Sequence, residues 1–285
     1  MSPKEAIFAI GDIHGCAEEL KQLIAKLPLD QNSTLVFLGD YVDRGEDSKG
    51  VVDYILFLKK KYKVVTLMGN HEKMFLEFLK NEKSAEAASF VFNGGNSTLG
   101  SYGDDTGMYH VPAEHSQFFK TLQLYYVTDK YCFVHAGVPD VPVSDFGKKD
   151  YSGDFLWVRE NFFESEFEWD KLIIHGHTPK KTPVVNIRRI NIDTGCVFGG
   201  TLTALQLPDK KFYQVAKSTA VRRVYLQDKT SNRQAVRFTG TVPVLIQKEG
   251  KNLPFVTINY SEFGMLLCSG PKDLVSVFAA NEIIH

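Results

Sequence analysis

Cysteine is sparse in this 285-residue chain, and Cys16, Cys132, Cys196 and Cys268 stand far apart with no CxxC pair. That spacing excludes a disulfide framework and a thiolate zinc site. Long apolar runs are missing too, for nothing approaches the roughly 18 consecutive apolar residues that a membrane span needs. The apolar run 6–10 is short, follows no basic region and leads straight into Asp12, so it reads as a strand and not a signal peptide. These absences lead us to expect a cytoplasmic protein with no membrane partner. Net charge is nearly absent at −1, and no DNA or RNA partner is expected.

What is present is the composition of a folded chain, 44% hydrophobic and 24% charged with the signs mixed. The length allows one large α/β domain, or one of about 200 residues with a small appendage. Charge is uneven along it. Residues 210–237 hold eight basic residues against Asp228, a local +7 that leaves −8 elsewhere. An acidic body suits bound cations, and the basic stretch reads as a solvated linker or an anion-binding surface.

Apolar, β-rich runs predict strands over residues 6–10, 34–38, 64–68, 131–134, 172–174, 189–192 and 201–207. Residues 17–27 carry Leu20, Leu23, Ile24 and Leu27 on one helical face, and 48–60 repeat the pattern with Val51, Val52, Ile55, Leu56 and Leu58. Alternating strand and helix indicates an α/β layered fold. Residues 81–128 break the pattern with glycine-rich interruptions, and read as a cap over a site or as a surface excursion. Short β-like runs recur over 242–247, 255–260 and 265–268. A domain boundary is expected near 210–230, dividing 1–212 from 213–285.

Five of the predicted strands run into a polar residue able to bind a metal: Asp12, Asp40, Asn70, His135 and His177. Ligands of α/β sheets gather beyond the carboxyl ends of strands, so these termini could converge. Asp12 and His14, two apart in extended backbone, would point to one side and grip one cation. The carboxylate of Asp40 could bridge two ions about 3.5–4 Å apart. One ion is then expected on Asp12, His14 and Asp40, and a second on Asp40, Asn70, His135 and His177. Oxygen and nitrogen donors without thiolate suit manganese, with iron and zinc as alternatives. His71 is left free for proton transfer. Arg44 and Arg159 are candidate phosphate clamps, because a guanidinium fork matches phosphate oxygens. His175 is expected in a supporting structural role.

Asp12, Asp40 and Asn70 stand 28 and 30 residues apart within GDIHG, GDYVDRG and GNHE, and HAG, HGHTP and NIDTGCVFGG follow in order. Over roughly residues 6–208 the chain resembles the calcineurin-like metallophosphoesterases, and within them the phosphoprotein phosphatases of bacterial and bacteriophage lambda type. The resemblance implies a two-sheet α/β sandwich flanked by helices, with a small β-rich C-terminal domain beside it here. It implies the same ligand assignment, a His71–Asp43 pair that protonates the leaving group, and direct attack on phosphorus by hydroxide generated at the metal pair. The activity it implies is hydrolysis of phosphoserine and phosphothreonine in proteins. A symmetrical diadenosine tetraphosphate hydrolase shares the metal motifs. Members of that group usually lack the aspartate of GDxxDRG and carry GNHD, so Asp43 and Glu72 favour the protein phosphatase.

Arg233 and Arg237, with Asn259, Ser261 and Gly264 further on, resemble the RxxxR and (D/N)xSxxG signatures of PilZ domains. That resemblance implies binding of cyclic di-GMP and regulation by it. Only 21 residues follow Gly264, short for completing a PilZ barrel. From a different class, the chain reads as a cyclic di-GMP sensor on a phosphatase-like scaffold; an inactive relative would have lost a ligand or the acid, and none is missing.

Overall fold

The computed structural model describes residues 6–104 and 108–218, together with the strand segments 223–225, 236–238, 242–248, 251–261 and 264–268. In chain order the first elements are β1 (Ile7–Ile10), α1 (Ala17–Lys26), β2 (Thr34–Phe37), α2 (Ser48–Lys59), β3 (Lys63–Thr66) and α3 (Asn70–Lys80). The stretch 81–128 holds α4 (Ala85–Phe90), a π-turn (Val91–Gly95), α5 (Asn96–Ser101), α6 (Ala113–Lys120) and β4 (Tyr125–Val127). Then come β5 (Tyr131–Val134), α7 (Ser152–Trp157), α8 (Glu160–Glu164), β6 (Leu172–His175), β7 (Val184–Val185), β8 (Arg189–Asn191), β9 (Thr201–Leu207) and β10 (Lys211–Ala216).

Two five-stranded mixed sheets form, in the orders β10-β9-β1-β2-β3 and β4-β5-β6-β8-β7. The period-two alternation of strands decides which layer each side chain joins. Ala9, Val36 and Leu205 of the first sheet meet Phe133, Ile174 and Ile190 of the second in one buried cluster. Their neighbours Phe8, Ile10, Leu35 and Phe37 face the other way, against the apolar stripes of α1 and α2. Cys132, Val134 and Ile173 likewise turn outward, onto Phe155 and Phe162 of α7 and α8. The result is helix, sheet, sheet, helix.

Both predicted early helices form within one residue of expectation. The remaining differences have local causes. The charged 210s conceal β10, which pairs with β9 along its whole length, so the first sheet continues to Ala216. The insertion is largely helical, and it buries Phe90, Phe118 and Phe119 in the core. Beyond it, β11 (Arg223–Tyr225), β12 (Val236–Phe238), β13 (Val242–Lys248), β14 (Lys251–Ser261) and β15 (Gly264–Cys268) form a third sheet, with β15 paired to β14. Among the described residues, no helix is long and apolar enough to cross a membrane.

Candidate functional site

The loops after β1, β2, β5 and β6 meet the N-terminus of α3 at one edge of the sandwich. Their backbone is unusual. His14, Asp40, Asp43, Arg44 and His177 all have positive φ, between 46° and 72°. Non-glycine residues seldom adopt that region, and it costs of the order of 1–3 kcal/mol each unless the surroundings impose it. Five such residues in one cluster mark a site held by its neighbours. The left-handed turn at His14 also corrects an expectation: Asp12 and His14 are brought together by a tight loop and not by extended strand.

Glu72 explains much of that imposition. Its carboxylate accepts hydrogen bonds from the backbone N–H groups of Asp40 at 2.8 Å, Tyr41 at 2.7 Å, Val42 at 3.2 Å and Gly69 at 3.0 Å. The side chain thus caps α3 and pins the β2 loop in one move. Burial raises its pKa to about 7 against the pull of those donors. Such a group touches backbone alone and carries no information about the substrate. The expectation that Glu72 favours a protein phosphatase therefore does not hold.

Six of the expected side chains converge. Asp40, His135 and His177 bring ligand atoms within 4.8 Å of one another, as do His14, Asp40 and His71. Asn70 Oδ1 lies 3.0 Å from His135 Nε2, which is also 3.1 Å from His177 Nδ1 and 3.4 Å from Asp40 Oδ1. His135 Nδ1 faces the carbonyl of Leu38 at 3.0 Å, and His14 Nδ1 faces that of Val42 at 2.8 Å. Each carbonyl fixes the proton on Nδ1 and turns the lone pair of Nε2 into the cluster. The Asp12 carboxylate accepts from the backbone N–H of His177 at 3.0 Å and lines the same cleft.

The chemistry of this donor set fits divalent cations. Lone pairs of His135, Asn70 and Asp40 are crowded together, and buried acceptors without donors are costly. His177 Nδ1, 3.1 Å from His135 Nε2, adds a further nitrogen to that crowd. Burial pushes Asp12 and Asp40 well above the usual carboxylate range, helped by like charges from Asp193 and Glu72 respectively. Burial also holds His14 and His135 well below the ordinary imidazole value and His177 down to about 2. Neutral imidazoles and charge-starved carboxylates are the ligands a cation favours. The guanidinium of Arg44 donates to His14 Nε2 at 2.7 Å, which places positive charge against Asp12 and Asp40.

His71 meets the cluster with one ring nitrogen and Asp43 with the other. Its Nδ1 lies 2.6 Å from Asp43 Oδ2, and its Nε2 is 4.0 Å from Asp40 Oδ2. Asp43 is itself clamped. Thr98 Oγ1 donates to Asp43 Oδ1 at 2.6 Å and accepts from the Asp43 N–H at 2.8 Å, with Ser48 Oγ 3.1 Å from the same hydroxyl. Thr98 belongs to α5, so the insertion reaches the site, and Gly94 O accepts from the Arg44 N–H at 3.2 Å.

Arg159 and Arg44 share the cleft with Asp12, His14 and His177, and Arg159 Nη1 donates to Thr178 Oγ1 at 3.3 Å. His175 is wholly buried, with its ring 5.0 Å from that of Phe162. Sequence reasoning missed Thr98, Asp193 and Phe198. Asp193, within NIDTG, lines the cleft and is raised to about 6 by burial. Of the C-terminal candidates, Arg233 lies outside the described residues. Arg237 falls on β12 opposite Ser261 of β14, Asn259 is also on β14, and Gly264 opens β15.

Comparison with known proteins agrees with this geometry. The asymmetrical bis(5'-nucleosyl)-tetraphosphatase PrpE of Halalkalibacterium halodurans is 30% identical over 231 residues, covering 72% of this chain and 92% of its own. A crystal structure provisionally named a diadenosine tetraphosphatase superposes with a TM-score of 0.60 at 22% identity, over 76% of this chain and 96% of that one. The cold-active protein-tyrosine phosphatase of a psychrophilic Shewanella superposes at 0.53 and 17% identity, over 75% and 80%. At such identities the two structures speak for the fold alone. The calcineurin-like phosphoesterase model matches residues 6–215, about three quarters of the sequence. The chain belongs to the calcineurin-like phosphoesterase family and is a metal-dependent phosphoesterase.

Proposed function

We propose that the chain hydrolyses dinucleoside tetraphosphates asymmetrically, to a nucleoside monophosphate and a nucleoside triphosphate. The observation that carries this reading is the 30% identity to a relative of that name, spanning 92% of the relative's length. It outweighs the phosphoprotein reading, because only one of the two features behind the latter touches the chemistry. Glu72 holds backbone, and the Asp43–His71 pair serves any phosphorus–oxygen bond whose leaving oxygen takes a proton.

In this reading Asp12, His14 and Asp40 hold one divalent ion, and Asp40, Asn70, His135 and His177 hold a second, with manganese the ion of choice. Ions so held lower the pKa of water and neutralise phosphoryl oxygens. Arg44 and Arg159 grip the non-reacting phosphate oxygens from the cleft wall. His71 offers a proton from Nε2 to the leaving oxygen, while Asp43 fixes the ring and Thr98 fixes Asp43.

The experiment is a side-by-side assay with manganese on diadenosine tetraphosphate and on a phosphoserine peptide, with product separation. Release of AMP and ATP is expected, whereas two ADP would indicate symmetrical cleavage. Turnover of the peptide alone would restore the phosphoprotein reading. One observation favours that second reading: a serine alkoxide leaves far less readily than a nucleoside triphosphate, so it gains more from the buried His71–Asp43 pair. We further propose that the residues after β10, 217–285, form a separate regulatory unit for cyclic di-GMP, using Arg233, Arg237, Asn259, Ser261 and Gly264. Calorimetric titration into wild type and Arg233→Ala tests it, and absence of heat in the wild type retires it.

A further inference from the structure

We propose that Phe198 is the stacking platform for a nucleobase of the substrate, and that it directs hydrolysis to the phosphorus bonded to that same nucleoside. The proposal rests on the dinucleoside tetraphosphate reading above.

An exposed aromatic residue is ordinary in itself. Phe198 differs in where it stands and how it is held. The residue is 66% exposed, yet it lines the same cleft as Asp12, His14, Arg44 and His177. The guanidinium carbon of Arg44 lies over one face of the ring, 5.4 Å from its centroid, so a phosphate-gripping cation backs the ring and the opposite face is the one offered to a base. A nucleotide presents that same pair, an aromatic base and a phosphate a few bonds apart.

The ring is not on a loose loop. Gly195 and Gly199 flank it at φ 65° and 88°, a left-handed geometry that a side chain would strain. Between them the backbone closes on itself: the Phe198 N–H donates to Gly195 O at 3.0 Å, that of Gly199 to Cys196 O at 3.0 Å and that of Gly200 to Gly195 O at 2.9 Å. The Gly195 N–H also donates to Asp193 Oδ1 at 2.9 Å, and Cys196 is buried in the core. A turn anchored at both ends holds a large apolar side chain out in water beside buried metal ligands. Rigid placement of a largely exposed ring suits a planar ligand, because stacking on a fixed face costs little ordering entropy.

The placement also selects the scissile bond. A base beside the metal ligands is joined through its ribose to the α-phosphorus, so that phosphorus is the one within reach of the site. A water oxygen bonds to the α-phosphorus, and the bond from that phosphorus to the oxygen bridging it to the β-phosphorus breaks. The electron pair stays on the bridging oxygen, which accepts the proton from His71 Nε2. The water's protons pass to solvent and back to His71. The products are a nucleoside monophosphate bearing the water oxygen and a nucleoside triphosphate bearing the former bridge.

Hydrolysis of diadenosine tetraphosphate in ¹⁸O-water tests this, with full-length protein and manganese. The label is expected in AMP, and label in ATP overturns the proposal. Phe198→Ala and Phe198→Leu should lower the ratio of kcat/KM for diadenosine tetraphosphate to that for p-nitrophenyl phosphate by about ten- to a hundredfold, the range of one base stacked on an aromatic ring. Phe198→Trp should restore the ratio. Quenching of etheno-adenosine triphosphate fluorescence without metal should follow the same order. An unchanged ratio and unchanged quenching in both the Ala and Leu variants overturn the platform while leaving the proposed activity standing. A wild type that cleaves p-nitrophenyl phosphate but no dinucleoside tetraphosphate overturns the activity, and the platform with it.

Discussion

Thr98 reaches across 55 residues of sequence to hold Asp43, donating to its carboxylate at 2.6 Å and accepting from its N–H at 2.8 Å. Asp43 in turn lies 2.6 Å from His71 Nδ1. This relay keeps a proton on His71 Nδ1 and orients Nε2 toward the cluster, so the ring serves as an acid in its doubly protonated form. Asp43→Asn offers an amide where the imidazole needs an acceptor, so kcat should fall by about 10²–10⁴, the usual worth of a positioned proton donor. Bound metal should stay at the wild-type stoichiometry. Loss of metal in this variant, measured by atomic emission, would make the pair part of the ligand set.

Thr98→Val tests the next link. The substitution keeps shape but removes one hydrogen bond to a buried carboxylate, worth about 1.5–3 kcal/mol. We expect kcat to fall about tenfold with KM little changed, since Thr98 does not touch the cleft and the loss acts through His71 orientation. Steady-state kinetics at matched metal occupancy check this. An equal fall in a Ser48→Ala control would point to the packing of the loop as a whole.

Metal removal should destabilise the fold, and metal binding should release fewer protons at higher pH. Asp12 and Asp40 are shifted upward, by burial first, so the metal-free protein keeps protons that an arriving cation must displace. The imidazoles are shifted downward and enter as neutral ligands without competition. Affinity for manganese should therefore strengthen as pH rises, with more protons released on binding at pH 6 than at pH 8. Calorimetry in two buffers of different ionisation enthalpy measures the release. At an ion concentration a thousandfold above the dissociation constant, binding contributes about 4 kcal/mol, so chelation should lower Tm by about 8 °C or more.

Glu72→Asp separates stability from specificity. The shorter carboxylate cannot reach the N–H groups of Asp40, Tyr41, Val42 and Gly69 together. Leaving one or two of them unpaired in the interior should cost about 1–3 kcal/mol in urea denaturation. The preference between diadenosine tetraphosphate and phosphoserine peptide should not move. A switch in preference would return Glu72 to the substrate side of the argument.

The candidate ligands were legible because most close a short local motif, a strand followed by a glycine and a donor, with His135 following its strand directly, and the sheet then gathers the strand ends. The apolar run that holds Phe8, Ala9 and Ile10 likewise reads as a strand, and the structure covers both of its faces. What the sequence hides is contact at a distance and backbone outside the allowed wells. Nothing near Thr98 in the chain hints that it meets Asp43. His14 looks extended until the close passage of Gly15 and Gly45 shows that the loop must turn, since a Cβ at Gly45 would sit 1.9 Å from the His14 carbonyl oxygen. Nothing in the segment NIDTGCVFGG marks Phe198 as solvent-facing, which it is in space.

Arg159 supplies the last prediction. The residue stands between α7 and α8, lines the cleft and donates to Thr178 Oγ1 at 3.3 Å, three residues past the end of β6 and next to His177. A guanidinium there can grip two phosphate oxygens at once, whereas an ammonium is a point charge on a flexible stem. Arg159→Lys keeps the charge and loses the fork, so KM for diadenosine tetraphosphate should rise about tenfold with kcat within a factor of about three. Arg159→Ala should raise KM further and leave the manganese stoichiometry at two. Because Arg44 contacts His14 directly and Arg159 does not, Arg44→Ala should change metal affinity as well as KM. Equal metal affinity in the two alanine variants, measured by equilibrium dialysis, would show that the Arg44 contact with His14 does not persist when the ions are bound.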